Sequence, residues 1–155
     1  MRRGLWTIFA LALANVAFAQ APAGPMDKAA LEKKFETDMS GATLVGYFTV
    51  TGGEDKQLRE ERYTISKVSK ISGDLWQFNA RIQYGGKDKE VPLPLLVMWA
   101  GDTPVITVTD MPVPGFGTYT ARVLIYRDEY AGTWSGKDHG GHLFGKITRE
   151  PPAKE

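Results

Sequence analysis

Both histidines of the chain, His139 and His142, fall within the stretch GTWSGKDHGGHLFGKI, residues 132–147, beside Asp138 and five glycines. Three readings are open to such a cluster. Asp138, His139 and His142 offer one oxygen and two nitrogen donors to a metal ion. Ser135, His139 and Asp138 offer a nucleophile, a base and an acid. The third option involves no chemistry: glycines and Asp accept the backbone angles of a tight turn between strands. His-Gly-Gly-His is not a specific zinc spacing, and a closed site needs a fourth ligand. Triads are assembled from separated rigid elements, not from one turn. The turn is therefore the preferred reading. Neither a catalytic residue nor a metal ligand nor a cofactor is assigned, and Asp138, His139 and His142 are kept only as minor metal candidates. No GxSxG, P-loop or HExxH pattern occurs.

The acids Glu54, Asp55, Glu60 and Glu61 could pair for acid–base work. They lie beside Lys56, Arg59 and Arg62, so a solvated, mutually compensating cluster is expected. The chain has no cysteine, which excludes thiolate nucleophiles, thiolate metal sites and disulfides. The formal net charge of +1 falls to −1 once Arg2 and Arg3 are removed. A surface so near neutrality gives no electrostatic reason to bind nucleic acid or anionic lipid.

Strands position these groups. After Gly41 the apolar period is two, and eight strand-like segments follow: Thr43–Thr51, Leu58–Ile71, Leu75–Tyr84, Val91–Ala100, Pro104–Met111, Thr118–Arg127, Tyr130–Gly136 and His142–Arg149. The third is the cleanest, with Trp76, Phe78, Ala80, Ile82 and Tyr84 on one face. In the second, Tyr63 and Ile65 share one parity and Val68 the other, which a bulge near Ser66–Lys67 would reconcile. Ahead of the strands, Asp27 reads as an N-cap. Leu31, Phe35 and Met39 recur at spacing four, giving an amphipathic helix over 28–39.

Eight short strands with short connections predict an all-β fold: an antiparallel up-and-down barrel, closed so that no edge is exposed. A β-sandwich is the alternative. In a meander, alternate turns share an end. TGGEDKQ, GGKDKE, PVPGFG and GKDHGG then form a glycine-rich rim, while SGD, AGDT and RDEY form a tight one. The helix enters from the tight end and can plug it. Pro92 and Pro94 lie roughly opposite Pro112 and Asp110 across the fourth hairpin. Lacking N–H groups, they should either leave it poorly zipped at the glycine-rich end or mark strands that start late and end early there.

The N-terminus, MRRGLWTIFALALANVAFAQ, has a basic start, an apolar run and the small pair Ala17 and Ala19, the pattern of a secretory signal peptide cleaved before Gln20. The apolar run is shorter than the ~20 residues that span a bilayer. The expected organisation is a signal peptide over 1–19, a leader over 20–26 and one barrel domain over 27–150. The mature protein would be secreted or periplasmic, with no stable membrane anchor.

LVGYF near the first strand, and YAGTWSG with GKITR near the end, resemble the small calycin-type barrels, the group containing lipocalins, avidins and fatty-acid-binding proteins. Where lipocalins carry Gly-x-Trp in the first strand, this chain has Gly46-Tyr47-Phe48. A late basic residue, Lys146 or Arg149, stands where the lipocalin arginine packs. The resemblance implies a non-enzymatic carrier of a small apolar ligand. Trp76, Trp99 and Tyr119 are the candidate lining residues. The competing expectation is an envelope interaction module with a filled core and a protein partner.

Overall fold

The structure is a computed structural model that describes residues 27–51 and 57–149. The expected signal peptide and leader, and most of the turn TGGEDKQ, lie outside the described residues. The described chain is one helix and eight strands: α1 (Lys28–Met39), β1 (Ala42–Phe48), β2 (Arg59–Ser72), β3 (Leu75–Tyr84), β4 (Lys87–Ala100), β5 (Thr103–Val113), β6 (Gly117–Tyr126), β7 (Glu129–Ser135) and β8 (Gly140–Arg149). Each strand pairs antiparallel with the next, and β8 returns to β1 to close the barrel. The closing ladder runs from Ala42↔Arg149 to Phe48↔Leu143. Closure gives every strand two neighbours, which disposes of the edges an open sheet would expose. The sandwich is thereby excluded.

The helix starts where the side chain of Asp27 accepts a hydrogen bond from the Ala29 N–H at 3.0 Å. It ends at Ser40 and Gly41, whose φ of +77° suits glycine. The Gly41 N–H donates to the carbonyl of Ile65 at 2.8 Å. The Ser40 hydroxyl accepts from the Val68 N–H at 3.0 Å. These two bonds straddle a bulge at Ser66, where the β2–β3 register shifts between Ile65 and Lys67. The extra residue turns Val68 inward, and it is fully buried.

The buried face of the helix plugs the tight rim. Phe35 is met edge-on by Trp76 at 5.4 Å, by Trp99 at 6.0 Å and by Phe78 at 6.1 Å between ring centroids. Arg149 ties the plug down: Nε donates to the Asp38 carbonyl at 2.7 Å, and a terminal nitrogen pairs with Asp128 at 2.6 Å. This end is therefore filled.

The glycine-rich end is built differently. β4 and β5 pair only from Ala100↔Thr103 to Leu96↔Thr107, although both strands continue toward that rim. The Val97 N–H donates to Asp74, on the β3 side, so odd positions of β4 face β3 and even positions face β5. Pro92 and Pro94 fall on the β5 side and have no donor to give. On β5 the backbone bulges between Val108 and Met111, with Asp110 at φ +46°. Its N–H is taken by the Thr120 hydroxyl at 2.9 Å. The strands part before Pro92 and Pro94 meet any partner on β5.

Candidate functional site

Above the helix plug the barrel is hollow. A cavity of about 440 Å³ runs from the layer of Leu44, Ile65, Phe78 and Ile106 toward the glycine-rich rim. Its walls are mostly apolar because inward positions of every strand carry the apolar half of the alternation. At the rim, Tyr84 and Tyr119 join hydroxyls at 2.9 Å. The Tyr119 hydroxyl donates on to the Phe116 carbonyl at 2.9 Å. The Trp134 indole N–H donates to the Thr49 carbonyl at 3.2 Å, and His139 stands edge-on to its ring at 5.4 Å.

One charged side chain is buried in this wall. Glu61 is 4% exposed. The Tyr63 hydroxyl donates to its Oε2 at 2.7 Å, and the Tyr130 hydroxyl donates to its Oε1 at 2.9 Å. Tyr130 reaches it from three strands away. Cross-strand partners run Tyr130↔Gly145↔Gly46↔Glu61, from β7 through β8 and β1 to β2. Gly145 and Gly46 present no side chain, so the tyrosine ring lies across both. A Cβ on Gly145 would stand 2.7 Å from the ring, and one on Gly46 would stand 2.5 Å from the hydroxyl.

Burial pushes the Glu61 carboxyl above its ordinary value of 4.5, and the two tyrosine hydroxyls pull the other way. The Tyr63 and Tyr130 hydroxyls are both pushed up, first by burial and then by the adjacent carboxylate. An acid whose folded pKa is raised stabilises the fold fully below its unfolded pKa and loses that contribution as pH rises through the folded value. Glu61→Gln should therefore gain on wild type as pH rises past 4.5. Urea midpoints of both proteins from about pH 4 to about pH 8 test this. The other carboxylates titrate in both proteins and cancel in the difference. A gap that stays flat with pH would refute the buried acid.

The sequence reading assigned Glu61 to a solvated charge cluster, and the structure corrects this. The signal was present: Glu61 shares parity with Tyr63 and Ile65, both of which face inward. Arg59, on the same parity, lines the cavity at the rim. Of the aromatic lining candidates, Tyr119 borders the cavity. Trp76 and Trp99 sit lower and clasp Phe35 instead.

The structure does not gather the histidine-rich stretch into one site. His139 lines the mouth, while His142 is exposed on the face of β8 opposite the buried Leu143. Among the described residues no group of three His, Cys, Asp or Glu side chains could hold a metal ion. The segment is a hairpin turn, closed by the Gly136 N–H on the His139 carbonyl at 2.7 Å. Its glycines serve a purpose other than the expected turn angles, since positive φ occurs elsewhere. Two of them admit close backbone approach: a Cβ at Gly132 would lie 1.9 Å from the Arg122 carbonyl oxygen, and one at Gly141 the same distance from that of Thr49.

No family model, no curated protein and no solved structure matches this chain.

Proposed function

We propose that this protein is an exported, non-enzymatic carrier that takes a small, mostly apolar molecule into its barrel from the glycine-rich end. The observation that carries this reading is the cavity of about 440 Å³, apolar-walled and stoppered at one end by α1. Its size falls within the range of small-molecule sites, and a preformed apolar pocket with few polar groups is the usual form of such sites. The closed eight-stranded barrel is also the architecture of the calycin-type proteins, whose number of strands leaves room for one small ligand. That shared architecture supports the carrier reading. The unzipped β4–β5 margin gives the mouth room to adapt, and recognition commonly resides where loops meet a rigid scaffold. The competing reading, an interaction module with a filled core, fits the plugged half of the barrel and not the hollow half.

Native mass spectrometry of protein recovered from outside its host's cytoplasm tests both export and carriage. The expected species begins at Gln20 and retains a lipid-sized mass. Purified protein should also bind the neutral apolar dye Nile red. Ala121 lines the cavity, and Ala121→Trp should fill it, weakening dye binding by about tenfold or more while the protein still folds. Equal dye binding by a folded Ala121→Trp variant would sink the cavity reading.

A further inference from the structure

Glu61 has no role in holding an apolar ligand by shape alone. A carboxylate buried in an apolar wall costs free energy, and an apolar residue of similar volume is usually neutral or better for stability. This carboxylate is nonetheless closely supported. Two tyrosine hydroxyls fix its oxygens, and two glycines on neighbouring strands clear the path for one of them. Both supporting groups are neutral hydroxyls. A carboxylate has about four lone-pair sites, and these two bonds occupy only two of them. The group borders the cavity, as do Tyr63 and Tyr130. A negatively polarised spot in an otherwise apolar chamber selects a ligand with a complementary donor.

We propose that the ligand of this cavity is an amphiphile with a protonated amine. Its ammonium sits against Glu61 between the hydroxyls of Tyr63 and Tyr130, and its hydrocarbon part runs down toward Phe78 and Ile106. This rests on the carrier reading and refines it. An ammonium provides three donors and can bond the carboxylate while its remaining protons meet tyrosine oxygens. The pair would form inside a water-poor wall, where charge-assisted hydrogen bonds are stronger than neutral ones. The incoming cation also favours the ionised carboxylate and so removes the penalty that burial imposes on it. An acidic ligand would instead bring a like charge to Glu61.

Displacement of Nile red by decylamine, decanol and decanoic acid at neutral pH tests the proposal, because the three share a chain and differ in headgroup. Decylamine should compete about tenfold or more tightly than decanol, the usual gain from a hydrogen bond to a charged group. In Glu61→Gln the preference for decylamine over decanol should disappear. The wild-type comparison stands whether or not the variant folds. If decylamine competes no better than decanol, or has no effect on bound dye, the amine assignment fails and the carrier reading stands. If decanoic acid competes best, the amine assignment fails. If neither the dye nor any decyl compound binds, the carrier reading fails and takes this inference with it.

Discussion

Phe35→Ala should cost roughly 3–5 kcal/mol of folding stability, the range found for removing a buried phenylalanine ring. The ring is 4% exposed and stands at the centre of three edge-to-face contacts, with Trp76, Trp99 and Phe78. Each such pair adds about 0.5–1.5 kcal/mol beyond the area it buries. Collapse cannot repair the loss, because the partners sit on strands held by the barrel ladder while the helix is tied by Ser40, Gly41 and Arg149. The substitution would leave a void between a fixed wall and a fixed lid. Urea denaturation read by circular dichroism would measure the effect. A loss below about 1 kcal/mol would mean that the helix is a dispensable cover and not a plug.

Gly46→Ala should cost about 3 kcal/mol or more, at or beyond the top of the usual range for overpacking. The new methyl would stand 2.1 Å from the Phe144 carbonyl oxygen, 2.5 Å from the Tyr130 hydroxyl and 2.7 Å from the Gly145 Cα. Two of these three contacts are to backbone of the closing β1–β8 ladder, which cannot rotate aside as a side chain can. The third would push Tyr130 off Glu61, leaving a buried carboxylate with one support instead of two. Gly73→Ala is the control. Gly73 has φ +54°, but a Cβ there meets nothing within 4 Å, so its cost is backbone strain alone, about 1–2 kcal/mol. Thermal melts of the two variants beside wild type separate the effects. Equal losses would show that Gly46 matters only as a flexible residue and that Tyr130 does not need the passage it clears.

Much of the barrel was legible because sheet-forming patterns are local. Trp76, Phe78, Ala80, Ile82 and Tyr84 alternate with polar residues, and the structure places β3 over the same residues, Leu75–Tyr84. The parity break between Ile65 and Val68 predicted a bulge near Ser66–Lys67, and the register shifts between Ile65 and Lys67, since one extra residue is the simplest way to keep both side chains inside. Pro92 and Pro94 foretold the open margin of β4 because the missing donor is a covalent property of the residue. Spacing four in Leu31, Phe35 and Met39 gave the helix and its buried face, where Phe35 and Met39 are the fully enclosed members.

The site was less legible. Whether Trp76 and Trp99 line a chamber or fill a plug depends on their height in the barrel, and alternation reports only which side of the sheet a residue faces. Glu61 looked solvated because its sequence neighbours are charged, yet two of the residues that enclose it, Tyr130 and Gly46, come from other strands. The sequence by itself determined that eight strands form, which way their side chains point and where the ladder could fail, because each follows from the period of the chain or the chemistry of one residue; it missed that residues 87–90, read as turn, begin β4. Only the tertiary structure decided that two glycines and a distant tyrosine converge on one acid. That meeting is set by the register of four strands around a closed barrel, and register is a relation between segments that no single segment contains.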